Sequence, residues 1–382
     1  MTRYINIAAL TLLCSPITNF CYAAALEINK QSILPFFEQG NYAELTYIYV
    51  KPTVNGSDIL GNTIDNIVKD FDYPVAAVKI APSLNTRLAL IYQKPWGMNE
   101  SYQGKNLFST PFDATKYEFD STNLTFLAGA KNQKDIWLYG GFAVEKIDSD
   151  FIFSSYTVTG IPFSYRLNSD SNNTSIAPII GIGYEKPSLA LKTSLTYRGA
   201  MHHSVNNNES FQMPTEHFEM TSLSRATVKM PQSVNLDFQT GLSEKYKLIG
   251  SVNARWVNWK QYDVNPTLYS TIFGDITNGA HLTQYNNNGY AVEVALAKEL
   301  SPKFAAEIRG GYDSGTGSLG SYDGMKSLAL GTQYKFTPQI AIAGGIQYSW
   351  LTGGDIKKGG QTIAKVDNSN AIGYGVKYHY HF

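Results

Sequence analysis

The chain has 382 residues, with 31 Lys and Arg against 31 Asp and Glu and a formal net charge of zero, which leaves no electrostatic basis for binding nucleic acid. Charged residues make up 16% against 43% apolar and 13% aromatic, a mix too charge-poor for an average cytosolic domain and too aromatic for a disordered chain. Downstream of residue 25 every apolar run is broken within a few positions by Gly, Lys, Asn, Asp or Pro, so nothing approaches the roughly 18 apolar residues that a membrane-spanning helix needs.

Residues 1–23 read as a secretory signal: Arg3, the apolar run from Ile5 to Leu13, and a close on the small residues Ala23, Ala24 and Ala25. Cleavage is expected after Ala23, or else after Ala25. A lipoprotein signal at Cys14 would need a small residue directly before the cysteine, and Leu13 is not small. Cys14 and Cys21 both fall inside this segment, so the mature chain would hold no disulfide, thiolate nucleophile or cysteine metal site.

From residue 42 onward apolar residues alternate with small or polar ones, which is the period of a strand with one greasy face. Val234, Leu236 and Phe238 alternate with Asn235, Asp237 and Gln239; Tyr290, Val292, Val294 and Leu296 alternate with Ala291, Glu293 and Ala295; Tyr374, Val376, Tyr378, Tyr380 and Phe382 end the chain in the same way. Segments of this kind are expected at 42–50, 73–80, 86–95, 117–130, 136–147, 174–184, 189–201, 231–243, 247–262, 289–297, 304–312, 325–335, 340–351 and 371–382. That is about fourteen strands, an even number as single-chain bacterial barrels require. The connectors alternate between short turns, such as 131–134 and 336–338, and long loops rich in Asn, Ser, Gly and Asp.

A bilayer core offers no hydrogen-bond partner, so strands cross it only in a sheet that closes on itself. The expectation is therefore an all-β protein, a transmembrane antiparallel β-barrel over 42–382, with short periplasmic turns and long extracellular loops, in the outer membrane of a Gram-negative bacterium. Trp96, Trp256, Trp259 and Trp350 near the loop ends and Trp137 near a turn are expected in the aromatic girdles at the two interfaces. Pro95 and Gly97, at the end of the third strand, are places where strand pairing can be interrupted.

The stretch Met230-Pro231-Gln232-Ser233-Val234, the turn Ser243-Glu244-Lys245, and Arg255-Trp256-Val257-Asn258-Trp259 resemble the central hairpin of the FadL family of outer-membrane channels for long-chain fatty acids and hydrocarbons. The ending Ala371 to Tyr378 is similar to that family's last strand, and Ala24 to Asn29 to the start of its mature chains. The resemblance implies passive uptake, capture in extracellular loops, transfer to a lumenal site, and exit through a wall opening or past an N-terminal hatch. Here the segment 24–41 is short for such a hatch and carries no Asn-Pro-Ala motif, so it is expected as a short plug or as a less occluded pore.

Two loops are greasier than solvated loops should be. Residues 148–173 hold Phe151, Ile152, Phe153, Tyr156, Ile161 and Phe163, and the next long loop holds Phe211, Met213, Phe218 and Met220. The resemblance makes these the capture groove; a loop core packed on itself is the other reading. In the lumen Arg198, Arg255 and Arg309 are the first candidates to fix a carboxylate by charge-assisted hydrogen bonds, with mutual ion pairing beside Glu44, Lys192, Asp237, Glu293, Glu307 and Lys377 as the alternative. The histidines at 202, 203, 217, 281, 379 and 381 show no triad spacing; His202 and His203 are expected as loop-edge polar residues and His379 and His381 as a lumenal pair. No enzymatic activity, cofactor or metal is expected. The expected partners are a long-chain fatty acid or another hydrophobic small molecule and the surrounding lipid and lipopolysaccharide, around a monomer. The rival readings are a polar-solute porin and a loop-mediated surface adhesin.

Overall fold

The computed structural model describes residues 26–169, 173–277, 281–317, 323–358 and 361–382. The proposed signal and both cleavage positions lie outside the described residues.

Fourteen antiparallel staves form one closed sheet: β1 (Tyr42–Thr53), β2 (Phe71–Ser83), β3 (Thr86–Gln93, resuming at Gly97–Ser101), β4 (Lys116–Lys131), β5 (Ile136–Tyr156), β6 (Thr174–Lys186), β7 (Leu191–Arg198), β8 (Ser233–Ser243), β9 (Leu248–Val257), β10 (Gly289–Ser301), β11 (Phe304–Asp313), β12 (Met325–Lys335), β13 (Ile340–Leu351) and β14 (Ser369–His381). The ring closes where β1 pairs with β14, from Tyr42 opposite His381 to Thr53 opposite Asn370. Burial alternates residue by residue: along β10, Ala291, Glu293 and Ala295 face inward while Val292, Val294 and Leu296 stand outward. Apolar side chains face outward in this way all round the barrel, far beyond the patch a water-soluble monomer exposes, and lipid is the solvent that accepts them.

Three of the five tryptophans do not join the girdles. Trp96, Trp137 and Trp259 are buried inside, while Trp350 stands half-exposed on the outer face. Nearness to a strand end does not choose a face; parity does. Trp137 shares parity with the inward Tyr139 and Ala143, opposite to the outward Leu138 and Phe142. Tyrosine and phenylalanine supply much of the outer aromatic surface instead, with Tyr290, Tyr312 and Tyr348 toward the loops and Tyr334, Phe336, Tyr380 and Phe382 toward the turns.

The stretches 148–173 and 202–230, expected as loops, are largely strand. β5 runs on to Tyr156; Pro162–Ser169 pairs with its upper half, Met201–Met213 pairs with Pro162–Ser169, and Phe218–Met230 pairs with Met201–Met213. These extensions carry β6, β7 and β8 above the membrane belt. No lipid faces them, so the strict apolar alternation that marks a lipid-contacting strand fades while the backbone ladder continues. The loop side also carries the helix α1 (Thr267–Thr277) and a small sheet of Gly56–Asp58, Thr63–Ile64, Asp355–Lys358 and Gln361–Val366.

Asp58 pins this small sheet. Its carboxylate accepts the backbone N–H groups of Leu60, Asn62 and Leu107 (2.9 Å each) and the Asn62 amide (2.8 Å). Burial alone would raise its carboxyl, but these donors hold it below the usual carboxylate value. The stabilisation is therefore complete above the ordinary carboxyl pKa of about 3.9 and is lost as pH falls through the lower folded value. Acidification should speed hydrogen exchange of the Leu107 amide first in this region, and Asp58→Asn should show the faster exchange already at pH 7. On the barrel wall, Val294→Arg near the middle of β10 should cost about 2–4 kcal/mol in urea unfolding from bilayers, as a cation facing mid-membrane lipid does.

Candidate functional site

β3 is interrupted between Gln93 and Gly97, and the interruption turns into the barrel. Pro95 has no N–H to give to a ladder, and Trp96 points inward, almost fully buried. The freed backbone is satisfied from two sides. The Ile28 and Asn29 N–H groups donate to the Pro95 carbonyl (2.9 and 3.2 Å), and the Gly97 N–H donates to the Leu26 carbonyl (2.8 Å). Ser121 on β4 accepts from the Trp96 N–H (2.8 Å) and donates to its carbonyl (2.7 Å). A Cβ on residue 97 would lie 2.9 Å from Ile28 Cδ1, so glycine lets the N-terminal segment come this close. The Trp96 indole donates to Glu145 (3.2 Å) and meets Trp259 edge-on at 5.3 Å.

Outside this bend the wall is open. β2 pairs with β3 only from Ala76 opposite Tyr92 toward the turn side, leaving Phe71–Val75 without a β3 partner. A cavity of about 430 Å³ occupies the gap, with Ile28, Val68, Phe71, Met98 and Phe119 as its apolar surfaces. Asp70, Asp72, Glu100, Glu118, Asp120, Asp148 and Asp150 also line it, with Lys94 as the one lining ammonium among the described residues. Sequence reading located the break at Pro95 and Gly97 but missed the acidic rim, because its members come from four distant segments.

Residues 26–40 lie within the barrel, and its charged lining holds them. Arg255 forms an ion pair with Glu27 (2.5 Å) and reaches the Gln31 side chain (3.2 Å); Arg198 donates to the Gln31 carbonyl (3.0 Å) and to Thr125 (3.2 Å). Lys30 pairs with Glu293 (2.7 Å), which also faces Arg309 (3.4 Å), and Arg309 pairs with Glu307 (2.9 Å). Lys377 pairs with Glu44 (3.3 Å). Toward the turn side Phe36 and Phe37 pack on Tyr139, and Arg87 lies 3.9 Å over the Trp137 ring while pairing with Glu185 (2.8 Å). A Cβ on Gly183 would come within 2.7 Å of Phe37, so a bare backbone there makes room for the ring. The three arginines of the expected carboxylate site are thus all placed in the lumen, each with protein partners already in hand.

The expected capture residues divide into two groups. Phe151, Phe153, Phe163, Phe211 and Met213 gather against Leu268, Tyr269 and Phe273 of α1, with Phe273 lying 5.9 Å from Phe153, 6.0 Å from Phe163 and 6.1 Å from Phe211. Ile152 and Ile161 are half-buried, and Tyr156, Phe218 and Met220 stand on the outer surface. Glu209, fully buried, ties the helix down. It accepts the N–H groups of Leu268 (2.8 Å) and Tyr269 (3.1 Å), the Tyr165 hydroxyl (2.9 Å) and the Ser224 hydroxyl (2.5 Å). Burial raises the Tyr165 phenol, and the adjacent Glu209 charge raises it further, so it stays a donor; burial pushes Tyr269 up to about 12. The sequence showed the aromatic residues but neither the helix nor its anchor.

His203 departs from its expected place at a loop edge. It is fully buried, with Nδ1 2.7 Å from Asn173 Oδ1 and Nε2 3.4 Å from Glu145. The strand continues past the kink at Gly199, and its parity turns His203 inward and His202 out. His379 and His381 lie 5.9 Å apart, both beside Tyr42.

No family model matches this chain, and no curated protein matches it in sequence. Solved structures do. A Pseudomonas aeruginosa FadL homologue superposes with a TM-score of 0.72 at 13% identity, over 91% of this chain and 92% of that one. The Pseudomonas putida toluene transporter TodX gives 0.66 at 10% identity over 91% and 92%, and the Ralstonia pickettii toluene transporter TbuX 0.63 at 12% over 94% and 95%. The fold is that of the FadL-type outer-membrane channels. Two of these three neighbours are toluene transporters, and the likeness is one of fold, a fourteen-stranded barrel of the outer-membrane kind.

Arg255→Ala should free residues 26–40. It leaves Glu27 charged and buried without its partner, a loss that typically costs about 3–5 kcal/mol. Limited trypsinolysis of the folded barrel should then cut at Lys30, which is protected in the parent, and adding Glu27→Gln should restore part of the protection.

Proposed function

We propose that this barrel takes up hydrophobic compounds by diffusion, with long-chain fatty acids as its substrates. The loop-side aromatic cluster under α1 captures the molecule, and the wall gap at the β3 break releases it sideways into the membrane. The observation that carries this reading is the break itself: an inward bend at Lys94–Trp96, stitched to the N-terminal segment, with an open cavity of about 430 Å³ against it. A molecule entering from the loops meets a lumen filled by residues 26–40, so a sideways exit suits an apolar ligand better than an axial one. These residues act as a short plug behind a cleaved signal that ends at Ala23. The driving force is removal of the chain from water, at about 0.8 kcal/mol per buried CH₂. The likeness to a FadL homologue and two toluene transporters supports the reading at the level of fold.

Two measurements test it. Detergent-purified barrel should bind a fluorescent long-chain fatty acid saturably, and changing Phe151, Phe153 and Phe163 together to Ser should weaken binding about tenfold or more, the loss expected for roughly 1.4 kcal/mol or more of contact. Asn99→Trp, which fills the wall cavity, should leave that binding in place and slow uptake into cells. Absence of saturable binding in a barrel whose heat-modifiable gel mobility shows that it is folded would remove the capture step.

A further inference from the structure

We infer that the wall opening is a charge filter: it passes a hydrocarbon chain with an uncharged head and rejects the same chain carrying an ionised carboxylate. This rests on the sideways-exit reading above and narrows its substrate class, so that a fatty acid would leave as the protonated acid.

Two independent features point the same way. The first is the rim of the opening. Seven carboxylates line the cavity against the single ammonium of Lys94; even counting Lys116, which pairs with Glu118 from outside it (2.8 Å), a surplus of five negative charges remains. Lys94 is itself engaged with Asp120 (2.7 Å), and Tyr49 donates to Asp70. Among the described residues that line the cavity, no cation is left over for an arriving anion. Its members come from the loop ends of four segments: Asp70 and Asp72 at β2, Glu100 on the resumed part of β3, Glu118 and Asp120 on β4, and Asp148 and Asp150 on β5. Their carboxylates bind nothing in this account; they act by repulsion. A cleft of one sign with low-dielectric walls concentrates its field and changes the local concentration of an ion by about 10–10³-fold.

The second feature lies upstream in the lumen. Arg198, Arg255 and Arg309 hold Gln31, Glu27, and Glu293 with Glu307, so they serve the N-terminal segment and the carboxylates of the wall. A carboxylate moving toward the gap passes guanidiniums already engaged by the protein, and then meets the acidic rim. The apolar surfaces of Ile28, Val68, Phe71, Met98 and Phe119 remain to accept the chain of an uncharged molecule.

The test compares initial uptake of radiolabelled 1-dodecanol and dodecanoate, at equal free concentrations and pH 7, by a Gram-negative host that lacks its own hydrophobic-uptake barrel and expresses the full chain. Rates are taken above those of the host without the chain. The parent barrel should favour dodecanol by about tenfold or more. Asp72→Asn, Asp120→Asn, Asp148→Asn and Asp150→Asn together should lower that ratio severalfold through faster dodecanoate entry. The lighter pair Asp148→Asn and Asp150→Asn, which leaves the Lys94–Asp120 pair intact, should lower it part of the way and guards against misfolding of the fourfold variant. Equal entry of the two compounds into the parent, or a preference for dodecanol that survives both sets of substitutions in folded barrels, would overturn the filter and leave the exit route standing. Entry of neither compound above background would overturn the uptake reading itself, and the filter with it.

Discussion

A peptide group in the hydrocarbon core of a bilayer finds no water to bond, so the backbone must satisfy itself within the protein. The membrane-spanning part of the chain follows from that constraint. The sheet closes through the pairing of β1 with β14, and the outward residues become apolar because they meet lipid. The break in β3 is an informative exception. Where β3 breaks, its freed N–H and C=O groups are taken up by Leu26, Ile28 and Asn29 on one side and by Ser121 on the other. A wall opening is therefore possible only because a second piece of chain stands inside the barrel to repair it.

The same economy governs charge. A cation or carboxylate facing the lumen is costly unless paired, and the described lumen is organised as pairs and short networks: Arg255 with Glu27, Lys30 with Glu293, Arg309 with Glu293 and Glu307, Lys377 with Glu44. Two of these, Arg255 with Glu27 and Lys30 with Glu293, join the N-terminal segment to the wall. The segment is thus located by ion pairs and by backbone bonds to the β3 bend, and its Phe36 and Phe37 fill the turn side. The N-terminal segment and the break in β3 are parts of one arrangement.

Above the membrane the physics changes. On the extended ribbon built on β5 to β8 one parity is still buried, as at His203, Val205 and Glu209, but its cover is local. It is provided by α1, whose Tyr269 and Phe273 cover an aromatic cluster drawn from three strands, with the Glu209 carboxylate closing the first turn of the helix.

Much of the barrel was legible in the chain itself, because lipid imposes a period of two along each stave and the difference between short turns and long loops is written in Pro, Lys, Asn and Gly. The stave count, the position of Tyr42 as the first strand residue, the inward parity of Arg198, Arg255 and Arg309, and the weak point at Pro95 and Gly97 all came from that local pattern. What the pattern does not contain is which distant residues meet. The capture of Arg255 by Glu27, the inward turn of Trp96 onto Trp259, the burial of His203 beside Glu145 and the gathering of Asp72, Asp120 and Asp150 around one gap depend on the register of strands far apart in sequence. The extended ribbon and α1 escaped for a related reason: beyond the bilayer no uniform solvent marks one face of a strand, and only tertiary contacts decide what is buried. Sequence alone determined that this chain closes into a membrane barrel, because lipid acts on every residue by its parity; the tertiary structure decided what the lumenal charges hold and which residues line the opening, because those depend on contacts across the ring.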